Sequence, residues 1–138
     1  MTAKEFLRRA RAVDRRVDEA QERVERLRAK LEAGRMSAVT GMPRGGSGDW
    51  TQTADRLIEL EQAVNERTRE LVRWKIRAMD AIDLVEEANL REVLELYYID
   101  GFTWEQVAQR MHYSEVQIWR LHGRALQKIR LPDEVLKK

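Results

Sequence analysis

The sequence predicts an all-α protein: a long antiparallel helical hairpin of coiled-coil type, followed by a three-helix domain built around a helix-turn-helix. Three observations predict it. Breakers are scarce, with 7 Gly and 2 Pro in 138 residues, and four of the glycines crowd into positions 41–48, leaving long unbroken stretches on either side. The first third carries apolar residues at a steady spacing of 3 and 4, the period of a helix face. The last third holds two Ser/Thr-x-x-Gln boxes, the local signature of a helix start.

The first helix rests on Phe6, Ala10, Val13, Val17, Ala20, Val24, Leu27 and Leu31. Nearly everything between them is charged or amidic, so the apolar stripe is a narrow coiled-coil seam and not the broader face of a globular core helix. Residues 34–52 are read as a loop. Gly34 is a candidate C-terminal cap, and Pro43 with Gly41, Gly45, Gly46 and Gly48 opposes helix. The loop lacks the Gly-Lys-Ser/Thr ending of a phosphate-binding loop. It is read as a connector, the alternative being a mobile arm with Arg44 touching phosphate or a partner. A second helix is expected from Thr51–Thr53 to about Ile82, on Leu57, Leu60, Val64, Leu71, Trp74, Ala78 and Ala81, with Arg67 the single polar break. Helix, loop and helix over residues 1–82 make an αα-hairpin. Two narrow stripes leave much unburied, so the hairpins are expected to pair as a homodimer in a four-helix bundle. Folding of the hairpin onto the C-terminal helices is the alternative.

Residues 83–131 follow a different plan. A helix from about Leu84 to Ile99 places Val85, Ala88, Val93, Leu96 and Tyr97 at helical spacing, and Asp100-Gly101 stops it. Thr103 with Gln106 opens a two-turn helix to about Met111. Ser114 with Gln117 opens a longer one to about Arg130, before Leu131-Pro132 ends it, and residues 132–138 form a tail. A short capped helix, a three-residue turn and a longer helix make a helix-turn-helix. Charge divides along the same lines. Residues 83–109 hold one basic and seven acidic groups, whereas residues 110–130 hold five basic groups against Glu115 alone. Asymmetry of this kind bears on partners.

Several function classes fall away. Without cysteine there is no disulfide, thiolate nucleophile or cysteine zinc site. No apolar run reaches the roughly 20 residues that span a bilayer. The N-terminus lacks the apolar stretch of a secretory signal, so a cytoplasmic protein is expected. His112 and His122 are too far apart for an i, i+4 metal pair. Neither Gly-x-Ser-x-Gly nor His-Glu-x-x-His occurs, and Glu86 and Glu87 diverge by about 100° on a helix, a poor acid/base dyad. No enzyme, cofactor or small-molecule substrate is expected.

The run Thr103-Trp104-Glu105-Gln106-Val107-Ala108, through Ser114, to Ala125-Leu126-Gln127-Lys128-Ile129-Arg130 resembles region 4 of bacterial sigma factors. The hairpin, the Gly-Ser loop and Leu121-His122-Gly123-Arg124-Ala125-Leu126 are similar to small phage and prophage proteins related to RinA/ArpU-type late-operon regulators. The resemblance implies a sequence-specific transcriptional regulator that binds double-stranded DNA. It turns Ile118, Leu121, Ala125 and Ile129 inward and places Glu115, Val116, Trp119 and Arg120 on the base-reading surface. Thr103, Arg124 and Lys128 fall where that family touches phosphate. Primary sigma factors carry arginines where this chain has Glu115 and Trp119, so the usual −35 promoter sequence is not the expected target. Nothing resembles the promoter-melting region. RNA polymerase is a possible partner for the acidic Asp83–Gln109 surface. Two further readings compete: a small terminase-like DNA-packaging subunit, and a protein-interaction adaptor that has lost DNA binding.

Overall fold

The computed structural model describes residues 1–39 and 47–136. They are helical throughout apart from short connections, with no strand among the described residues. The helices are α1 (Ala3–Val39), α2 (Ser47–Asp83), α3 (Ala88–Leu94), which continues as a π-helical turn (Glu95–Ile99), α4 (Trp104–Met111), α5 (Glu115–Lys128) and α6 (Asp133–Leu136). α1 and α2 run antiparallel, with Arg28 reaching Glu61 and Lys75 reaching Asp14. The chain forms two compact units, Met1–Asp14 with Leu71–Lys138, and Arg15–Glu70. The boundary drawn at residue 82 from the sequence therefore falls inside the first unit.

The second unit is the span of the hairpin nearer its connection. Among its described residues Val24 and Leu57 are buried, and Val17, Ala20, Leu27, Leu60 and Val64 are half-buried on the same seams. The seam read from the sequence is thus partly covered within the single chain. Both helices run further toward the connection than expected. Gly34 lies inside α1, and Gly48 lies inside α2, which starts at Ser47 and not at 51–53. A lone Gly costs a helix interior only about 1 kcal/mol relative to Ala, which neighbouring turns can carry. Gly41, Pro43, Arg44, Gly45 and Gly46 lie outside the described residues.

The first unit has one continuous core. Phe6, Leu7 and Ala10 of α1 and Ala78, Ala81 and Ile82 of α2 pack with Leu90, Val93, Leu94, Tyr98, Val107, Ala108, Ile118, Leu121, Ala125 and Ile129. The four positions expected to face inward on α5 are all buried.

The helix expected from Leu84 is shorter. Leu84 is 79% exposed, Val85 is buried, and α3 begins only after Glu87, which has extended backbone. The Arg91 guanidinium donates to the Val85 carbonyl at 2.8 Å, satisfying a group that the missing turn leaves open. At its far end the Asp100 N–H bonds the Glu95 carbonyl and the Phe102 N–H bonds Leu96. Gly101, at φ +80°, supplies the left-handed step that this reversal needs. Tyr98 and Leu94 fill the core, while Tyr97 and Leu96 are half-buried and Ala88 is exposed. α5 ends at Lys128, two residues early, with Ile129 extended and buried. Beyond Pro132 the chain is more than a tail, since α6 returns Val135 to the core.

Candidate nucleic-acid interface

Two reciprocal caps place the helix-turn-helix. The Thr103 and Ser114 hydroxyls accept from the Gln106 and Gln117 N–H groups at 3.2 Å. The Gln side chains accept from the Thr103 and Ser114 N–H groups at 3.0 and 2.9 Å. Each box satisfies donors left open at a helix start, and such caps contribute about 1 kcal/mol each. Between the helices His112 takes the left-handed conformation, at φ 59°. Histidine tolerates this better than a β-branched residue would. The turn is His112-Tyr113-Ser114, three residues as read from the sequence.

α5 has two unlike sides. Ile118, Leu121, Ala125 and Ile129 are buried. On the outward side Val116, Arg120, Gly123 and Gln127, spaced 4, 3 and 4, form an exposed row. Val116 is 61% exposed and Trp119, beside the row, is 63% exposed. Glu115 lies in the first turn, where an acid suits the helix dipole. Arg120 and Arg124 are exposed and take part in no ion pair among the described residues. Lys128 is also exposed, its Nζ 3.7 Å from Glu87. An open pair of this kind holds under about 1 kcal/mol and gives way readily to a phosphate. The Thr103 hydroxyl accepts the cap bond and keeps its own proton to donate. The seven residues expected at the interface therefore all lie at the surface of the helix-turn-helix. Gly123 and Gln127, members of the same outward row, were not singled out from the sequence, although continuing the i+3, i+4 series from Arg120 would have found them.

Trp119 is neither core nor isolated. It sits 6.3 Å from Trp104, which stacks on Tyr97 at 3.7 Å and meets His122 edge-on at 4.6 Å. The Arg11 guanidinium covers the other ring, 4.0 Å from Tyr97, and donates to the Tyr97 and Phe102 carbonyls. This layer braces the start of α4 against α5 and so fixes the angle at which α5 is presented. Beneath it His122 Nε2 and the Tyr98 hydroxyl are 2.7 Å apart. Burial, then the charges of Lys4 and Arg8, lower His122 to about 4. Burial, then Tyr97, pushes Tyr98 up to about 12. At neutral pH the ring is uncharged and shares a hydrogen bond with the protonated phenol. His122 is thus a satisfied interior histidine. Among the described residues no three metal-ligating side chains come together, and no helix is long and apolar enough to cross a membrane.

With that geometry in place, the segment is a helix-turn-helix by its caps, turn and two-sided third helix. A family model described as sigma-70, region 4 matches residues 87–131, about a third of the chain. The segment is accordingly a sigma-region-4-like helix-turn-helix. No curated protein and no solved structure matches the chain.

Proposed function

We propose that this protein is a sequence-specific DNA-binding transcriptional regulator of phage or prophage genes, a homodimer that lays α5 in the major groove. The observation that carries this reading is the outward row of α5, a rigidly capped helix whose Val116, Arg120, Gly123 and Gln127 have no task in the chain's own packing. Arg120 can reach a guanine edge with two hydrogen bonds. Val116 and Trp119 offer apolar contact to thymine methyls, and Glu115 can accept from a cytosine amino group. Thr103, Arg124 and Lys128 flank the row and would hold phosphates, fixing register without reading sequence.

Gly123 supports the same reading. A Cβ added there meets nothing within 4 Å, so no packing inside the chain requires glycine. A mid-helix Gly costs about 1 kcal/mol relative to Ala. A bare backbone on the outward row is explained by close approach of something outside the chain, and a DNA backbone or base edge fits. The acidic Asp83–Gln109 segment is then left to meet a basic partner surface, with RNA polymerase the partner this reading names.

Selection of bound sequences from random duplex DNA, at a stated salt concentration, tests the reading. A defined motif that competes over bulk DNA is the expected result, whereas recovery of unselected DNA alone would remove sequence-specific regulation.

A further inference from the structure

The seam read from the sequence is partly covered within the hairpin, and a more exposed apolar face lies elsewhere. α2 provides it in the first compact unit. Val72, Ile76 and Met79, spaced 4 and 3, share one helix face and are 42%, 50% and 43% exposed. Alongside them on one flank lie Arg73 and Asp80, both exposed and neither in an ion pair among the described residues.

The order of these charges is informative. A basic group precedes Ile76 and an acidic group follows it. In a two-fold pairing each residue meets its counterpart reciprocally, and antiparallel helices bring matching flanks together. We infer that two copies pair through antiparallel α2 helices with the two-fold axis at Ile76. Ile76 then meets the partner's Ile76, Val72 lies beside the partner's Met79, and Arg73 faces the partner's Asp80, each contact occurring twice. A parallel arrangement would bring opposite flanks together, so that Arg73 and the partner's Asp80 would not meet. The charge order therefore favours a second copy in this orientation over an unrelated apolar partner.

Three apolar side chains per copy cover less than the roughly 800 Å² per partner of a standard interface. The expected dimer is accordingly weak, with a Kd in the micromolar range or above. Doubling the reading helix would gain DNA affinity from effective concentration. The inference rests on the homodimer part of the reading above, but not on DNA binding.

Sedimentation equilibrium of the full chain without DNA, over micromolar to sub-millimolar concentrations, tests it. The wild-type mass should rise toward twice 16.3 kDa. Ile76→Glu should remain monomeric with unchanged circular dichroism, because the side chain is exposed. Arg73→Asp should weaken association at least tenfold, and Arg73→Asp combined with Asp80→Arg should restore it, since the double change re-creates both pairs in reverse. A wild type that stays monomeric throughout would overturn the dimer as well as this surface. A wild-type dimer unaffected by Ile76→Glu, or a double reversal no better than the single one, would overturn the surface alone.

Discussion

The two compact units are built from the same kind of helix but hold together differently. Among the described residues of 15–70, Val24 and Leu57 are buried, and exposed ion pairs such as Arg28–Glu61 and Arg67–Glu70 join the helices or brace their surface. The unit of residues 1–14 and 71–138 buries a continuous aliphatic and aromatic core, with its helix starts capped and its interior polar groups paired. Surface ion pairs contribute little, whereas buried apolar area contributes most of the stabilisation. The contrast teaches that α5 is presented from the unit whose described residues hold the larger apolar core.

The comparison can be broken most forcefully in the core. Ile118→Ala removes a fully buried side chain and should cost about 2–5 kcal/mol in urea unfolding. Val24→Ala removes less from a looser site and should cost about 1–2 kcal/mol. Equal losses would erase the distinction between the units.

A pH titration sharpens it next. His122 is held near 4 in the folded chain against an ordinary 6.5, so folding disfavours its protonation. Its contribution is complete above about pH 6.5 and is lost as pH falls from there to about 4, where both states are protonated. After discounting for partial exposure, the loss is on the order of 2 kcal/mol. Glu95, raised by burial and then by Asp83, acts in the opposite sense through the carboxylate range. The comparison with His122→Gln isolates the histidine: its stability profile from pH 7 to 4 should be flatter than that of the wild type. Parallel profiles would show that the aromatic layer does not depend on a neutral ring.

How far these features could be read in advance depended on how local their causes are. The caps at Thr103 and Ser114 and the inward row of α5 rest on residues three or four apart, and the chain carries them openly. The seam residues were found by the same period. The break at Leu84-Val85-Glu86-Glu87 contains no Gly or Pro. It comes from burying Val85 while Arg91 takes its carbonyl, a tertiary cause with no local signal. Gly34 and Gly48 resemble breakers in the sequence, but one glycine costs a long helix too little to end it. The Tyr98–His122 bond and the Arg11 cover over Tyr97 join residues 24 and 86 positions apart, beyond the reach of any periodic pattern. The outward position of the candidate interface residues was legible, but the aromatic layer beside them was not.

The smallest expected effect carries two signs. Gly123→Ala should stabilise the fold by up to about 1 kcal/mol and at the same time weaken DNA binding, because the added methyl has room within the chain but not against a close-packed groove. A variant both more stable and equally tight in binding would remove Gly123 from the interface.

The central claim, that α5 reads with its outward row and holds with its flank, is tested most directly by titrating Arg120→Ala and Lys128→Ala against the selected site and a scrambled duplex at several salt concentrations. Arg120→Ala should cost about 1–3 kcal/mol on the selected site and relax preference at one or two base pairs. Lys128→Ala should weaken both duplexes alike and lower the salt slope by about one ion. Equal, sequence-independent losses for both variants, or no loss for either with circular dichroism unchanged, would contradict the account.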